Sequence, residues 1–193
     1  MSGSRLFIGL GNPGKEYENT RHNFGFDVAQ QLAASAGASL QFETKFNAKL
    51  ATAQIDGTKT WILLPYSFMN LSGDSVSKVA QYYKIPIENL LVAVDDADLP
   101  LGTLRMRESG RSGGHRGLES IEKRMGSKDY ARQKLGIGRI GESRDIKKYV
   151  LGRFSSEERI LRDQVVDTAV KQARCWVNEG CAIAMTRYNG TLN

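Results

Sequence analysis

Five consecutive apolar residues at positions 90–94 are followed directly by two aspartates, Asp95 and Asp96. A strand that is apolar at every position must be covered on both faces, which happens chiefly in parallel sheets flanked by helices. Ligands of such sheets collect outside the carboxyl ends of the strands. The run therefore predicts a buried central strand whose acidic end faces a binding site.

The rest of the chain alternates between strand-like and helix-like patterns. Strands are predicted at residues 5–10, 102–107 and 133–137, together with a hairpin at 47–65 that turns at Asp56-Gly57. Apolar residues recur with helical spacing in five segments: 24–36, 72–83, 117–124, 157–179 and 182–188. Asn23 and Asn70 are candidate N-caps. This alternation predicts an α/β fold, a single domain over residues 1–193 with a twisted mixed β-sheet flanked by helices.

Length and composition are those of a globular domain with a real core. The chain has 193 residues, of which 40% are hydrophobic and 25% charged. No apolar run is long enough to cross a bilayer, and the N-terminus lacks a signal-peptide pattern, so we expect a cytoplasmic protein. Two cysteines, Cys175 and Cys181, are too few for a disulfide framework or a zinc site.

Positive charge is concentrated in one third of the chain. Residues 105–153 contain 14 lysines and arginines against six acids, whereas the remainder contains 13 against 15. A local basic excess of this kind favours a polyanionic partner, although a solvated basic face gives the same count.

The segment FIGLGNPGKEYENTRHNFGF at residues 7–26 places an amide, Asn12, and an imidazole, His22, on loops that follow a strand. Reactive groups are commonly displayed on such loops. The segment also matches the pattern G-x-G-x-x-G, which leaves a dinucleotide-dependent enzyme as an alternative. That match is weak, because the pattern must enter a helix at once and here a polar loop intervenes.

Four polar side chains form a candidate catalytic set that contains no nucleophile of its own: Asn12, His22, Asn70 and Asp95. An imidazole can act as general base toward water, and an acid can orient the ring. Amide N–H groups can stabilise a developing oxyanion. The set suits hydrolysis of a reactive acyl bond such as an ester. Taken singly, each residue could instead serve a turn, a helix cap or the surface. Two histidines without cysteine or histidine spacing predict no metal site.

Four segments together resemble the bacterial-type peptidyl-tRNA hydrolase family. They are GLGNPGKEYENTRHNFGF, SFMNLSG, VAVDDADLPLGTLRMRESGRSGGHRGLESI and KLGIGRI, and the similarity runs through nearly the whole chain. The resemblance implies a fold of the peptidyl-tRNA hydrolase and phosphorylase/hydrolase-like kind. It also implies cleavage of the ester between a peptide and the 3′ ribose of tRNA, without metal or cofactor, by a cytoplasmic monomer.

The resemblance implies a role for each member of the candidate set. His22 would activate water, and Asp95 would orient the ring of His22. Asn12 and Asn70 would hold the peptide carbonyls and the water. For substrate binding, Tyr17 and Met69 would line the cleft near the terminal aminoacyl group. His115 would lie in a gate-like G-G-H loop beside the site.

One position departs from the family pattern. The family commonly reads G-G-H-N-G, with the asparagine helping to bind substrate and water, whereas this chain has Arg116. A guanidinium only donates hydrogen bonds, so it cannot replace an amide atom for atom, but it can reach a phosphate. Arg116 is therefore assigned to substrate binding.

The basic stretch acquires a partner through the resemblance, namely the acceptor stem and 3′ end of peptidyl-tRNA. Phosphate contacts would be salt-dependent and largely independent of sequence. The candidate tRNA-binding residues are Arg105, Arg107, Arg111, Lys134, Arg139, Lys147 and Lys148. A non-catalytic RNA-binding relative of the same fold, like the plant organelle splicing factors, remains an alternative function.

Overall fold

The computed structural model describes residues 3–138 and 145–192. The strands in these residues are β1 (Arg5–Gly9), β2 (Gln41–Glu43), β3 (Ala48–Ile55), β4 (Thr58–Pro65), β5 (Leu90–Asp96), β6 (Thr103–Arg107), β7 (Ala131–Gly136) and β8 (Gly190–Thr191). The α-helices are α1 (Phe24–Ser35), α2 (Ser72–Tyr82), α3 (Arg116–Met125), α4 (Ile146–Val150), α5 (Ser156–Glu179) and α6 (Cys181–Tyr188). Short 3-10 turns precede several of them. None of the helices described is both long enough and apolar enough to span a membrane.

The strands form one mixed sheet in the order β2-β3-β4-β1-β5-β7-β6-β8. Strand β1 runs parallel to β4 and β5, and β5 runs parallel to β7. The carboxyl ends of these four strands therefore share one edge of the sheet. The predicted buried central strand is confirmed as β5, and the α/β class with a mixed, helix-flanked sheet is confirmed with it.

The apolar run in β5 serves two cores at once. Leu91 and Ala93 belong to the core beneath α1 and α5, whereas Leu90, Val92 and Val94 belong to the core beneath α2 and α3. Successive strand side chains point to opposite faces. Both faces are covered, so every position of the run is apolar.

Two glycines allow α1 to sit directly on the sheet. A Cβ at Gly9 would collide with the carbonyl of Gly25, and a Cβ at Gly25 would collide with the carbonyl of Ala93. The amide of Phe26 also donates to the carbonyl of Leu10, at 3.1 Å. The first turn of α1 is thereby held against the carboxyl ends of β1 and β5, and residues just before α1 are held beside Asp95.

Local sequence explains some of the element boundaries. Asp56 and Gly57 both have positive φ, as the tight turn of the β3–β4 hairpin requires. Ser155 and Glu158 form a capping box at the start of α5. Of the two candidate N-caps, Asn70 was wrong, because α2 begins after Leu71. Asn23 does precede α1, but its side chain does not cap the helix, because it binds Asn12 instead.

Candidate active site

A cleft of about 480 Å³ opens at the carboxyl edge of the sheet. Its walls come from the loops after β1, β4 and β5, from the start of α3 and from α4. Ten residues proposed from the sequence line it: Asn12, Tyr17, His22, Met69, Asn70, Asp95, His115, Arg116, Lys134 and Lys147. The sheet thus brings together side chains that lie more than 130 residues apart in the chain.

His22 and Asp95 form a hydrogen-bonded pair at the base of this cleft. Nδ1 of His22 lies 3.1 Å from each carboxylate oxygen of Asp95. The side chain of Asp95 is 3% exposed and that of His22 is 14% exposed. Within the described residues Nε2 of His22 makes no hydrogen bond, which leaves this nitrogen available to a ligand in the cleft.

A second histidine shares the same carboxylate. Nε2 of His115 lies 3.0 Å from Oδ1 of Asp95, and Nδ1 of His115 accepts a hydrogen bond of 3.2 Å from the amide of Gly117. An acceptor at Nδ1 requires the proton of the neutral ring to be on Nε2, where it is donated to Asp95. These two contacts define the tautomer of the neutral ring, and through them His115 connects the start of α3 to the acid.

Burial and the carboxylate act in opposite directions on the pKa of His22. Burial lowers this pKa, but the charge of Asp95 and its hydrogen bond raise it by more, and the charge of Arg116 lowers it. The net result is a pKa above the ordinary value of 6.5. For Asp95, burial raises the pKa, and His22 and His115 together hold it well below its usual range. Asp95 is thus ionised at neutral pH.

Among the described residues, one group could hold a metal ion: His22, Asp95 and His115, whose donor atoms lie within 4.8 Å of one another. Their spacing in the sequence gave no sign of this cluster. A metal on Nε2 of His115 would require a proton on Nδ1, which would then face the N–H of Gly117. The hydrogen bonds therefore favour a proton-transfer pair over a metal centre.

Asn12 is held in one orientation by its surroundings. Its Oδ1 accepts a hydrogen bond of 2.8 Å from the amide of Met69. Its backbone N–H and carbonyl are both bound by the carboxamide of Asn23, at 2.8 and 3.0 Å. Because Oδ1 already accepts this hydrogen bond, Nδ2 is the side-chain atom of Asn12 that can donate to a ligand.

The other residues proposed for substrate binding lie around this centre. Asn70 is exposed on the loop before α2, and its amide makes no hydrogen bond within the described residues. Met69 is 4% exposed and belongs to a core cluster while also lining the cleft. Tyr17 is half-buried in the loop after β1. Arg116, the first residue of α3, is exposed and forms no ion pair with the described residues.

The candidate tRNA-binding residues are divided between the cleft and the surface beside it. Lys134 and Lys147 line the cleft, and Nζ of Lys134 lies 2.9 Å from Asp96. The rest of those described are exposed outside it: Arg105 and Arg107 on β6, Arg111 before α3 and Lys148 on α4. In the sheet register Arg105 is directly opposite Lys134. Arg139 lies outside the described residues.

Sequence reasoning missed several residues of the site. Asn23 was taken for a helix cap, and Arg21, Phe68 and helix α4 were not singled out. Helix α4 has only five residues, IKKYV, too few for helical periodicity to appear. For Asn23 and Arg21, the available signal was their position on either side of His22.

The thiols lie apart from the cleft: Cys175 is buried on α5, and burial at the start of α6 raises the pKa of Cys181 to about 11.

The dinucleotide alternative requires a helix directly after the glycines. Helix α1 begins only at Phe24, ten residues beyond Gly14, and 3-10 turns occupy part of the intervening loop. The amides at the start of α1 are therefore not presented to a pyrophosphate bound at the glycines.

Comparison with known proteins gives consistent matches over nearly the whole chain. The family model for peptidyl-tRNA hydrolase matches residues 6–193. A peptidyl-tRNA hydrolase of Desulfitobacterium hafniense is 42% identical over 185 residues, which cover 96% of this chain and 99% of the relative. One from a Synechococcus species is 43% identical, covering 96% of this chain and 83% of the relative.

Solved structures agree with the sequence matches. The crystal structure of peptidyl-tRNA hydrolase from Acinetobacter baumannii superposes with a TM-score of 0.93 at 36% identity, covering 99% of this chain and 97% of the other. A 5′-methylthioadenosine nucleosidase of Arabidopsis thaliana shares the fold alone, with a TM-score of 0.53 at 7% identity over 91% of this chain and 96% of the other. With the family model and close relatives both covering more than nine tenths of its length, this chain belongs to the peptidyl-tRNA hydrolase family.

Proposed function

We propose that this hydrolase cleaves the ester of peptidyl-tRNA with His22 as general base and Asp95 as its orienting acid. The observation that carries the proposal is the pairing of Nδ1 of His22 with a buried, ionised Asp95, which leaves Nε2 toward the cleft. A positioned general base typically contributes about 10²- to 10⁴-fold to a rate. The ester is an activated bond, so no covalent intermediate is needed.

The proton transfers follow from this arrangement. Nε2 of His22 takes a proton from a water molecule, whose oxygen attacks the ester carbonyl carbon. The carbonyl oxygen gains negative charge, and the Nδ2 hydrogens of Asn12 and Asn70 stabilise it or the neighbouring peptide carbonyl. The tetrahedral intermediate then expels the 3′ oxygen of the ribose, which takes the proton back from His22. Asp95 stabilises the imidazolium between these two steps.

The side-chain amides of Asn12 and Asn70 give a basis for selecting peptidyl-tRNA over aminoacyl-tRNA. A peptidyl group offers a neutral amide beside the ester, and Asn12 and Asn70 can hydrogen-bond to its carbonyl. An aminoacyl group has a charged amine there, which must lose its water to enter a cleft that is lined by donors and apolar side chains.

Arg116 and the basic residues are proposed to bind the nucleic acid. Arg116, which lines the cleft and forms no ion pair with the residues that the structure describes, would contact a phosphate near the 3′ end. Arg105, Lys134 and Lys147 would contact the acceptor stem, with Arg107, Arg111 and Lys148 flanking them. Arg139, outside the described residues, is a further candidate from its place in the sequence. We further propose that residues 1–193 act as one domain, as a monomer and in the cytoplasm, where stalled translation supplies the substrate.

A non-catalytic RNA-binding role is less well supported. The full set of His22, Asp95, Asn12 and Asn70 lines one cleft, and an RNA-binding module needs none of these four in that arrangement. The one feature that favours this alternative is Arg116.

The proposal is tested by turnover of N-acetylaminoacyl-tRNA by the purified protein. We expect His22→Ala to lower kcat by about 10²- to 10⁴-fold. Asp95→Asn should also lower kcat by roughly 10²-fold or more, because the ring of His22 loses its orientation. Asp129 is an exposed acid in the loop before β7. Asp129→Asn is therefore the matched control, and it should keep full activity. Turnover that survives in His22→Ala would refute the assigned base, and tRNA binding without turnover by the unaltered protein would favour the non-catalytic role.

A further inference from the structure

A second cleft of about 500 Å³ adjoins the catalytic cleft at Asn12, which lines both. It lies between the loop after β1, the beginning of α1 and the neighbouring ends of β3 and β4. We call it the side trench, and its lining includes Asn12, Lys15, Gln30, Lys49, Leu64 and Tyr66. None of these residues other than Asn12 takes part in the proposed chemistry.

Exposed aromatic rings lie in the catalytic cleft, in the side trench and next to the trench. Phe68, which lines the catalytic cleft, is 58% exposed, and Tyr66, which lines the trench, is 39% exposed. The ring of Phe42 on edge strand β2 is 49% exposed and lies 5.2 Å from the ring of Tyr66. Adjacent large apolar side chains left in water commonly mark an interaction surface.

The trench does not offer the charge that a polyanion needs. Its two lysines, Lys15 and Lys49, lie with two acids, Glu18 and Asp27, and Asp27 also pairs with Arg162 outside the trench. Exposed side-chain amides at Asn19 and Gln30 complete a weakly charged, hydrogen-bonding lining. Such a mixture suits a polypeptide segment, whose backbone needs donors and acceptors and whose side chains vary.

The two halves of the substrate need opposite surroundings, and the sheet separates them. The basic residues lie on β7, β6 and α4, on one side of the central strands β1 and β5. The side trench lies by β4 and β3, on the other side, with β2 next to β3 at that edge of the sheet. If the ester lies at His22 between the two, the tRNA would extend toward the basic side and the peptide toward the weakly charged, aromatic side.

We propose that the side trench binds the residues of the peptide that lie upstream of the ester-linked residue. The inference rests on the proposed hydrolysis of peptidyl-tRNA. Tyr66 and Phe42 provide apolar contact that does not depend on one particular side chain, as an enzyme acting on many unfinished peptides requires. Asn12 marks the passage from the reacting residue to the rest of the chain.

The test compares two substrates, N-acetylaminoacyl-tRNA and an N-acetylated tetrapeptidyl-tRNA with the same last residue. The unaltered protein should have a higher kcat/KM on the longer substrate. Tyr66→Ser and Phe42→Ser should each lower kcat/KM on that substrate by about fivefold through KM, the size expected when roughly half of an aromatic ring is no longer covered. Neither should change kcat/KM on the shorter substrate.

Tyr82→Ser is the matched control, since Tyr82 is an aromatic residue that is 60% exposed at the far end of α2. It should leave both substrates unaffected. A partly unfolded variant loses activity equally on both substrates, so the ratio of the two kcat/KM values isolates binding of the upstream peptide. An unchanged ratio in both trench variants would overturn the inference while leaving the hydrolase function intact. Absence of turnover of either substrate by the unaltered protein would overturn both.

Discussion

At the scale of single residues, the site depends on one carboxylate that serves two rings. His115 donates to Asp95 from a fixed tautomer, and His22 binds both oxygens of the same group. The two donors keep Asp95 ionised although its side chain is only 3% exposed. A buried charge without such partners would instead be neutralised by a proton. Asp95 therefore remains an acceptor over the whole pH range in which His22 titrates.

The pH dependence of turnover should follow the ionisation of His22. A general base acts only when unprotonated, and the pKa of His22 is raised, so activity should increase as pH rises through a midpoint above 6.5. Arg116 lowers that pKa. In a plot of kcat/KM against pH, Arg116→Asn should therefore move the acidic limb to higher pH. Arg116→Lys keeps the charge and should leave the limb in place. A limb that stays in place or moves to lower pH in Arg116→Asn would contradict this.

At the scale of elements, Arg21 connects the loop that carries His22 to two helices. Its guanidinium binds Glu158 at the start of α5 at 2.8 and 3.1 Å and donates to the carbonyl of Arg153 at 2.8 Å. It also lies over the ring of Tyr149 on α4, 4.4 Å from the centroid. Since α4 forms one wall of the catalytic cleft, Arg21 sets the position of that wall relative to the base.

Replacing Arg21 by lysine should therefore affect both stability and catalysis. Arg21→Lys keeps the charge but loses the arrangement in which Nη2 binds Glu158 while Nη1 donates to the carbonyl of Arg153. It also loses the flat contact with the ring of Tyr149. We expect a loss of about 2 kcal/mol in the free energy of unfolding, measured by urea titration. We also expect a fall in kcat under conditions where the variant is fully folded.

Arg159→Lys is the control for this change, because Arg159 is exposed on α5. It should match the unaltered protein in both measurements. Normal turnover by folded Arg21→Lys would show that Arg21 is purely structural.

Elements with a strong periodic signal could be predicted, and those set by tertiary contacts could not. The apolar run of β5, the Asp56-Gly57 turn and the long helix α5 all follow from local chemistry. Strand β2 and helix α4 have three and five residues, and their conformation depends on what they pack against. In the site, the pairing of His22 with Asp95 was predicted. The contact of His115 with Asp95 was not, since no spacing rule relates positions 95 and 115.

At the scale of the whole molecule, the positive charge is asymmetric about the central strands. Arg105 and Lys134 are neighbours across β6 and β7, and Lys147 lies on α4 at the mouth of the same cleft. One of these charges is partly satisfied within the protein, since Lys134 pairs with Asp96. Phosphates on this side would bring the ester of a bound tRNA toward His22.

Removal of one cation from this side should weaken tRNA binding in a salt-dependent manner. Arg105→Ala or Lys134→Ala should make the plot of log affinity against log salt shallower by roughly 1, measured by filter binding or fluorescence anisotropy. The pH profile of cleavage should not change. Lys171→Ala removes an exposed cation on α5, outside the basic stretch, and should leave the slope as it was. Unchanged slopes in both test variants would refute this placement of the tRNA.

The location of the two thiols has a practical consequence. Alkylating reagents attack the thiolate, and burial raises the pKa of both Cys175 and Cys181, the latter to about 11. Both thiols are therefore less reactive near neutral pH than the thiol of an exposed cysteine. A cysteine introduced at an exposed position such as Phe42 would be alkylated selectively in the otherwise native chain. The protein can thus carry a fluorescent label next to the side trench without prior removal of its own sulfhydryl groups.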